Sequence, residues 1–441
     1  MFWIQLLIVL LAIFVGARLG GIGLGVMGGL GLAILTFGFG LQPTAPPIDV
    51  MLMIAAVITA AGALQTAGGM DYLVSLAERA LRKHPSRITF MGPIVTYLFT
   101  FCAGTGHVSY SVLPVIAEVS RQSGVRPERP LSISVIASQQ AITASPISAA
   151  TVALVSLLAG YHISLIDILM ISVPATFISC MVAAWVMSKF GKELEDDPIY
   201  QERLKEGLIQ DTVDANTDQR SASTSPKAKL SVVLFLTGVV LVVLLGSLPQ
   251  LRPAWENGGK LVPLSMAYAI ELVMLSIAAL ILLVCKVNAS HLIKSNVFLA
   301  GMQAVISIFG IAWLGDTFFA GHMDQISLWI KDSVTAAPWL FAIALFIMSI
   351  LLYSQAATVR ALMPLGIALG LPPAALIAMF PAVNGYFFIP NYPTVIAAIN
   401  FDRTGTTRIG KYVLNHSFML PGLIATTLAI AIGFGLASII L

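Results

Sequence analysis

Charge is what this sequence has least of. Asp, Glu, Lys and Arg make up 10% of its 441 residues, against about 25% in soluble globular proteins, while 58% of the chain is hydrophobic. That excludes a soluble domain and points to an all-α polytopic membrane protein. The net charge of +3 is sorted by loop rather than gathered in a patch, so nucleic acid is not a partner. Cysteine is scarce as well. Cys102, Cys180 and Cys285 stand singly in apolar runs, which offers neither a disulfide framework nor a metal site. There is no HExxH, no P-loop and no pair of aspartates at membrane depth, so nothing indicates an enzyme, a metal or a cofactor. Met1-Phe2-Trp3 carries no positive n-region, and the first apolar run is expected to stay as a span.

What is present is long apolar segments. With about 20 residues to a crossing, about ten transmembrane helices are expected, near 2–17, 20–40, 49–66, 130–160, 164–189, 230–248, 262–285, 295–316, 373–400 and 413–440. Two other stretches, 88–120 and 338–369, each hold two apolar segments around a polar, small-residue tip. At about 15 residues and 1.5 Å per residue these segments are too short to cross comfortably. They are read as two re-entrant hairpins. The segments after Asp71 and Asp324 are read as amphipathic helices at the interface that support them. With the N-terminus outside, every Lys and Arg except Arg252, Lys260, Lys331 and Arg360 falls inside, the asymmetry that the positive-inside rule expects. Both termini are then outside and the 190–229 segment is cytoplasmic.

The chain also repeats itself. Ala67-Gly68-Gly69-Met70-Asp71 returns as Ala320-Gly321-His322-Met323-Asp324, and Pro85 returns as Pro338 at the same spacing. Leu113-Pro114 returns as Met363-Pro364 and Ser145-Pro146 as Ile389-Pro390. Five spans and one hairpin per half would invert the second half against the first, the design in which a transporter's site lies at the repeat interface. The expected units are a first inverted repeat over 1–189, a cytoplasmic linker over 190–229 and a second inverted repeat over 230–441.

Polar groups at membrane depth are costly, roughly 2.5–3.5 kcal/mol for an Arg at a helix centre, so their positions mark a candidate site. The first hairpin tip supplies Gly104, Thr105, Gly106 and His107. Glycines let the chain turn and leave N–H groups free for an anion. The long 130–160 segment carries Ser138, Gln139, Thr143, Ser145, Pro146 and Ser148. Pro146 lacks an N–H and clashes with the preceding turn, so the helix is expected to break near 142–146. The second hairpin brings Ser354, Gln355, Thr358 and Arg360, whose guanidinium suits a carboxylate. The matching break brings Asn384, Tyr386, Pro390, Asn391, Tyr392, Pro393 and Thr394. Glu271, mid-span in 262–285, is a candidate coupling-proton site, with a pairing or subunit-contact role as its alternative. The glycine-rich run from Gly21 to Gly31 reads as a helix-packing patch.

The motifs Phe101-Cys102-Ala103-Gly104-Thr105-Gly106-His107, Thr143-Ala144-Ser145-Pro146-Ile147-Ser148, Ser354-Gln355-Ala356-Ala357, Pro393-Thr394 and Phe401-Asp402-Arg403-Thr404-Gly405-Thr406-Thr407 resemble the anaerobic four-carbon-dicarboxylate transporter (Dcu) family. Asp196-Asp197-Pro198-Ile199-Tyr200 and Tyr392-Pro393-Thr394 resemble its A-type branch. The resemblance implies a bacterial inner-membrane carrier that exchanges fumarate, succinate, malate and aspartate, often as a homodimer in the lipid bilayer. It also implies a likeness to the superfamily of elevator-type ion transporters with paired hairpins. The residues alone leave open a carrier of another small organic anion, a channel, or a membrane-embedded dicarboxylate sensor.

Overall fold

The computed structural model describes residues 1–19, 22–161, 163–209, 225–257, 260–352, 354–390 and 392–441. They form a mostly helical molecule. In chain order the helices are α1 (Phe2–Leu19), α2 (Gly23–Ala33), α3 (Ile48–Thr66), α4 (Gly69–Lys83), α5 (Ile88–Ala103), α6 (Leu113–Gln122), α7 (Glu128–Ala144), α8 (Ala149–Leu158), α9 (Leu165–Ser188) and α10 (Pro198–Lys205). They continue with α11 (Pro226–Ser247), α12 (Met266–Val284), α13 (Ala289–Leu292), α14 (Asn296–Ala336), α15 (Leu340–Leu352), α16 (Gln355–Ala368), α17 (Pro373–Met379), α18 (Pro393–Phe401) and α19 (Met419–Ile440). Strands β1 (Ala254–Asn257) and β2 (Lys260–Pro263) pair antiparallel before α12. Among the described residues six helices, counting α7 and α8 as one, are long and apolar enough to cross a membrane. The bent pair α3 and α4, whose arms meet at 72°, raises that to seven, and shorter apolar helices fill in between.

The helices sort into two packed groups. In one, α3 packs against α12 and α14, α2 against α1 and α14, and α11 against α12. In the other, α7 packs against α5 and α9, α19 against α9 and α17, and the turns after α17 against α15. Contacts of α16 with α8 and α14 join them. The glycine patch behaves as read: a Cβ on Gly25 or Gly310 would fall inside the other helix's backbone, so α2 and α14 cross in direct backbone contact.

Several boundaries differ from the sequence reading. The expected 295–316 span is one continuous helix that runs on through Ala336, and absorbs the segment after Asp324. The repeat motif explains the difference locally. Gly68 takes φ 82° and breaks α3 from α4, whereas Gly321 stays helical within α14. The segment after Asp71 does form a separate helix, α4, burying Met70, Ala77 and Leu81 on one face. The 373–400 segment is three pieces, because a 3-10 turn over Phe380–Phe387, with Pro381 in its first turn, interrupts it before the Pro390–Pro393 break. The last span starts at Met419 rather than 413. Residues before it form a tight loop in which Ile409 pairs with His416, and the Gly410 N–H donates to the Asn415 carbonyl at 2.6 Å.

Candidate functional site

The first hairpin tip is built onto the first helix break. Pro146 cannot continue α7, so the helix ends at Ala144 and Ser145 turns extended at ψ 129°. Carbonyls freed by the break are taken by a hydroxyl, since the Thr151 Oγ1 lies 3.4 Å from both the Ile142 and Thr143 oxygens. Ser148 donates to Thr151 at 2.9 Å. The Ser145 hydroxyl donates to the Phe101 carbonyl at 2.6 Å, fastening the break to the end of α5. Gly104 closes α5 at φ 70°, where a Cβ would come within 3.0 Å of the Ile147 carbonyl. Only glycine meets both demands. Thr105 follows in the turn, Gly106 lies beside Ile142 and Ser138, and His107 falls in the 3-10 turn Gly106–Ser111. Arg82 of α4 donates to Gln122 at the end of α6 at 3.1 Å.

The second half closes over it from the other side. Ser354 caps α16, accepting from the Ala357 N–H at 3.2 Å, and Thr358 donates back to the Ser354 carbonyl at 2.8 Å. Gln355, the first residue of α16, donates to Asn384 at 3.0 Å and to the Tyr386 hydroxyl. Asn384 in turn donates to Gln140 at 3.0 Å and lies 3.4 Å from the Thr143 hydroxyl. Gln140 donates to Thr426 of α19 at 2.9 Å. One unbroken chain of side-chain hydrogen bonds thus runs Tyr386–Gln355–Asn384–Gln140–Thr426, joining α16, the 3-10 turn, α7 and α19. Tyr386 and Tyr392 lie against each other beside it, their ring planes tilted by 43° and their centres 4.3 Å apart. Pro393 starts α18, where its missing N–H costs nothing.

Some polar groups at this place lack protein partners. Gln139, 1% exposed, has neither amide atom bonded among the described residues, and the Thr394 hydroxyl, 1% exposed, is likewise unpaired. An unsatisfied buried polar atom costs about 1–3 kcal/mol, a cost these two share with others such as Thr100, Ser134 and Ser172. Ser138 is satisfied within its own helix, donating to Val135 at 2.9 Å. Asn391 lies outside the described residues, and so does the His107 side chain. Glu271 stands apart on α12, which packs mainly on α3 and α11.

Gln140 and Thr426 complete the hydrogen-bond chain. Gln140 stands in the polar run Ser138-Gln139-Gln140 of the 130–160 segment, but Thr426, one hydroxyl in an apolar span, gives no signal in the sequence. The expected 295–316 span ends at Asp316. Because α14 continues past it, it sits halfway along that helix, within electrostatic reach of Arg360 on α16. The motif Phe401–Thr407 proves to be a structural turn. The Asp402 carboxylate accepts from the Thr404 N–H at 2.8 Å, the Thr406 hydroxyl at 2.8 Å and the Thr407 N–H at 2.6 Å.

A second polar assembly holds the start of the linker. Arg126 bonds Glu128 at 2.6 Å and also bridges to Asp197, all three buried. Burial opposes ionisation of Asp197, but the Tyr200 N–H and the Arg126 charge outweigh it and hold the carboxyl below its usual range. Arg129 ties to the Phe190 carbonyl at 2.7 Å and to Glu193 at 3.0 Å.

Several long apolar helices, some of them broken, around a buried hydrogen-bonded polar network are the architecture of a multi-pass membrane protein. Comparison with known sequences agrees: the model of the anaerobic C4-dicarboxylate membrane transporter family matches residues 1–441, and the chain belongs to that family. The C4-dicarboxylate transporter DcuA of Escherichia coli strain K12 is 47% identical over 99% of both chains. That of Wolinella succinogenes is 45% identical over 99% of both. In fold, the chain is similar to the YdaH transporter of Alcanivorax borkumensis, 17% identical with a TM-score of 0.51 over 99% of this chain and 96% of the other.

Proposed function

We propose that this protein is a secondary transporter that exchanges four-carbon dicarboxylates such as succinate, fumarate, malate and aspartate across the bacterial inner membrane. The substrate class rests on the family and on relatives named as C4-dicarboxylate transporters. The observation that carries the location is the buried chain Tyr386–Gln355–Asn384–Gln140, contributed by both halves of the sequence and bordered by the unpaired Gln139 and Thr394. The N-termini of α16 and α18 begin in this region and offer N–H groups to carboxylates. Arg360 meets one carboxylate of the substrate. Asp316 supplies its countercharge when the site is empty, which spares the membrane an unpaired cation. In this reading the tip residues Gly104 to His107, with Ser145, Asn391 and Tyr392, complete the site.

The domain reading goes with it. Residues 1–189 and 230–441 form the inverted repeats around the 190–229 linker, the termini face outward, and the working unit is a homodimer. The group of α5 to α9 with α15 to α19 shifts as a unit against α1 to α3 and α11 to α14, an elevator-type alternating access in which the contacts of α14 with α15 and α16 would slide. Glu271, remote on α12, serves pairing or subunit contact rather than the site. Flux tests the reading against a pure sensor. Proteoliposomes loaded with unlabelled succinate should accumulate labelled succinate, and empty ones far less. Binding without any flux would establish the sensor instead.

A further inference from the structure

We propose that the cavity where the linker leaves α9 is a binding site for the headgroup of an anionic phospholipid, and that the loop before α19 dips its tip into the leaflet beside it. The cavity measures about 690 Å³, and Phe190, Lys192, Arg408, Lys411, His416 and Leu420 are among its walls. Two long apolar helices end at its rim. Phe190 lies just past the end of α9, and Leu420 lies in the first turn of α19. A cavity at the ends of membrane-crossing helices stands at the level of the headgroups.

Its charge fits a phosphate. The two carboxylates in the wall are already spoken for. Glu128 and Asp197 both bind Arg126, and Glu128 also accepts from Ser417 at 2.6 Å. Among the described residues no carboxylate lies within ion-pair distance of Lys192, Arg408 or Lys411, so three exposed cations face the opening. The adjoining loop supplies the apolar half. The Ile409–His416 bridge and the Ser417 N–H to Arg408 carbonyl bond at 3.1 Å hold it as a narrow finger. At its tip Tyr412, Val413 and Leu414 are 70%, 57% and 52% exposed. Three consecutive exposed apolar residues, led by a tyrosine and flanked by Lys411 and Arg408, suit the boundary between acyl chains and headgroups. A soluble anion would account for the cations but not for the tip.

The test uses the full-length protein with its three native cysteines replaced and Val413→Cys labelled with a fluorophore, reconstituted in nanodiscs. Brominated lipid is present at equal fraction as phosphatidylglycerol or as phosphatidylcholine. The expected result is quenching by both, with a marked preference for phosphatidylglycerol. The preference should drop by roughly fivefold for each cation removed in Arg408→Gln and Lys411→Gln, while succinate binding stays unchanged. Inorganic phosphate at fixed ionic strength should leave the preference intact. Equal quenching by the two lipids, a preference unaffected by the double variant, or its abolition by phosphate alone would overturn the proposal. The absence of quenching by either lipid would also overturn it, since the tip would then be covered by protein.

Discussion

Asn384 is the centre of the candidate site's hydrogen-bond chain. It accepts from Gln355 and donates to Gln140, so it links α16 to α7. In Asn384→Ala the Gln140 oxygen loses its donor and Gln355 keeps only Tyr386. Leaving such buried groups unsatisfied costs about 1–3 kcal/mol. Succinate affinity measured by calorimetry should fall by roughly 5- to 150-fold, while Ser438→Ala, at an exposed end of α19, should leave it unchanged. His416 makes a different prediction. Its Nδ1 accepts from the Phe418 N–H at 3.2 Å and its Nε2 faces the Phe388 carbonyl at 3.2 Å, so the neutral ring is the bonded form. Burial pushes its pKa below the ordinary 6.5, against the opposing Phe388 bond. A folded value below the unfolded one contributes stability that is present above about pH 6.5. It is lost as pH falls through the folded value. The melting temperature of the purified protein should therefore fall between pH 7.5 and 5.5, and His416→Gln should flatten that dependence. An unchanged slope in the variant would remove His416 as the cause.

Among the elements, α10 and the start of the linker depend on Arg126. Removing it in Arg126→Ala strands Glu128 and Asp197 as buried, unpaired charges, a loss of about 3–5 kcal/mol. Thermal unfolding should report it, and limited proteolysis should open the 194–208 segment first. Resistance equal to wild type would show that Arg129 holds the linker alone. The helix break at Pro146 was legible because proline acts locally, on the residues just before it. The second break was only half legible. Pro390 and Pro393 signalled it, but the turn over Phe380–Phe387 begins far earlier and depends on tertiary bonds, such as the Gly385 N–H to the Ser349 hydroxyl at 2.8 Å. The length of α14 was not legible. The same Ala-Gly motif ends α3 and passes unnoticed through α14, since a glycine permits a left-handed turn without requiring one. For the candidate site, Gln355, Asn384 and Tyr386 were legible as isolated polar residues in apolar runs, and the structure bonds them to one another. Their mutual bonds, and the inclusion of Thr426 and Asp316, needed the packing of four helices.

For the whole molecule, the asymmetry of Lys and Arg predicts that the linker lies inside and the β1–β2 pair outside. Single cysteines at exposed Glu202 and Glu256, in a background lacking the native three, should label oppositely in intact cells. An impermeant reagent should reach Glu256→Cys and reach Glu202→Cys only after permeabilisation, and equal labelling would reverse or undo this topology. In the proposed transport site, donors from both halves meet the two carboxylates of one four-carbon substrate. Monocarboxylates would leave one donor set unpaired at about 1–3 kcal/mol, and tricarboxylates would bring a charge without a partner. Succinate counterflow in proteoliposomes, competed with aspartate, lactate and citrate, measures this directly. Aspartate should compete like succinate, and lactate and citrate at least about tenfold more weakly. Lactate or citrate competing as well as succinate would contradict it.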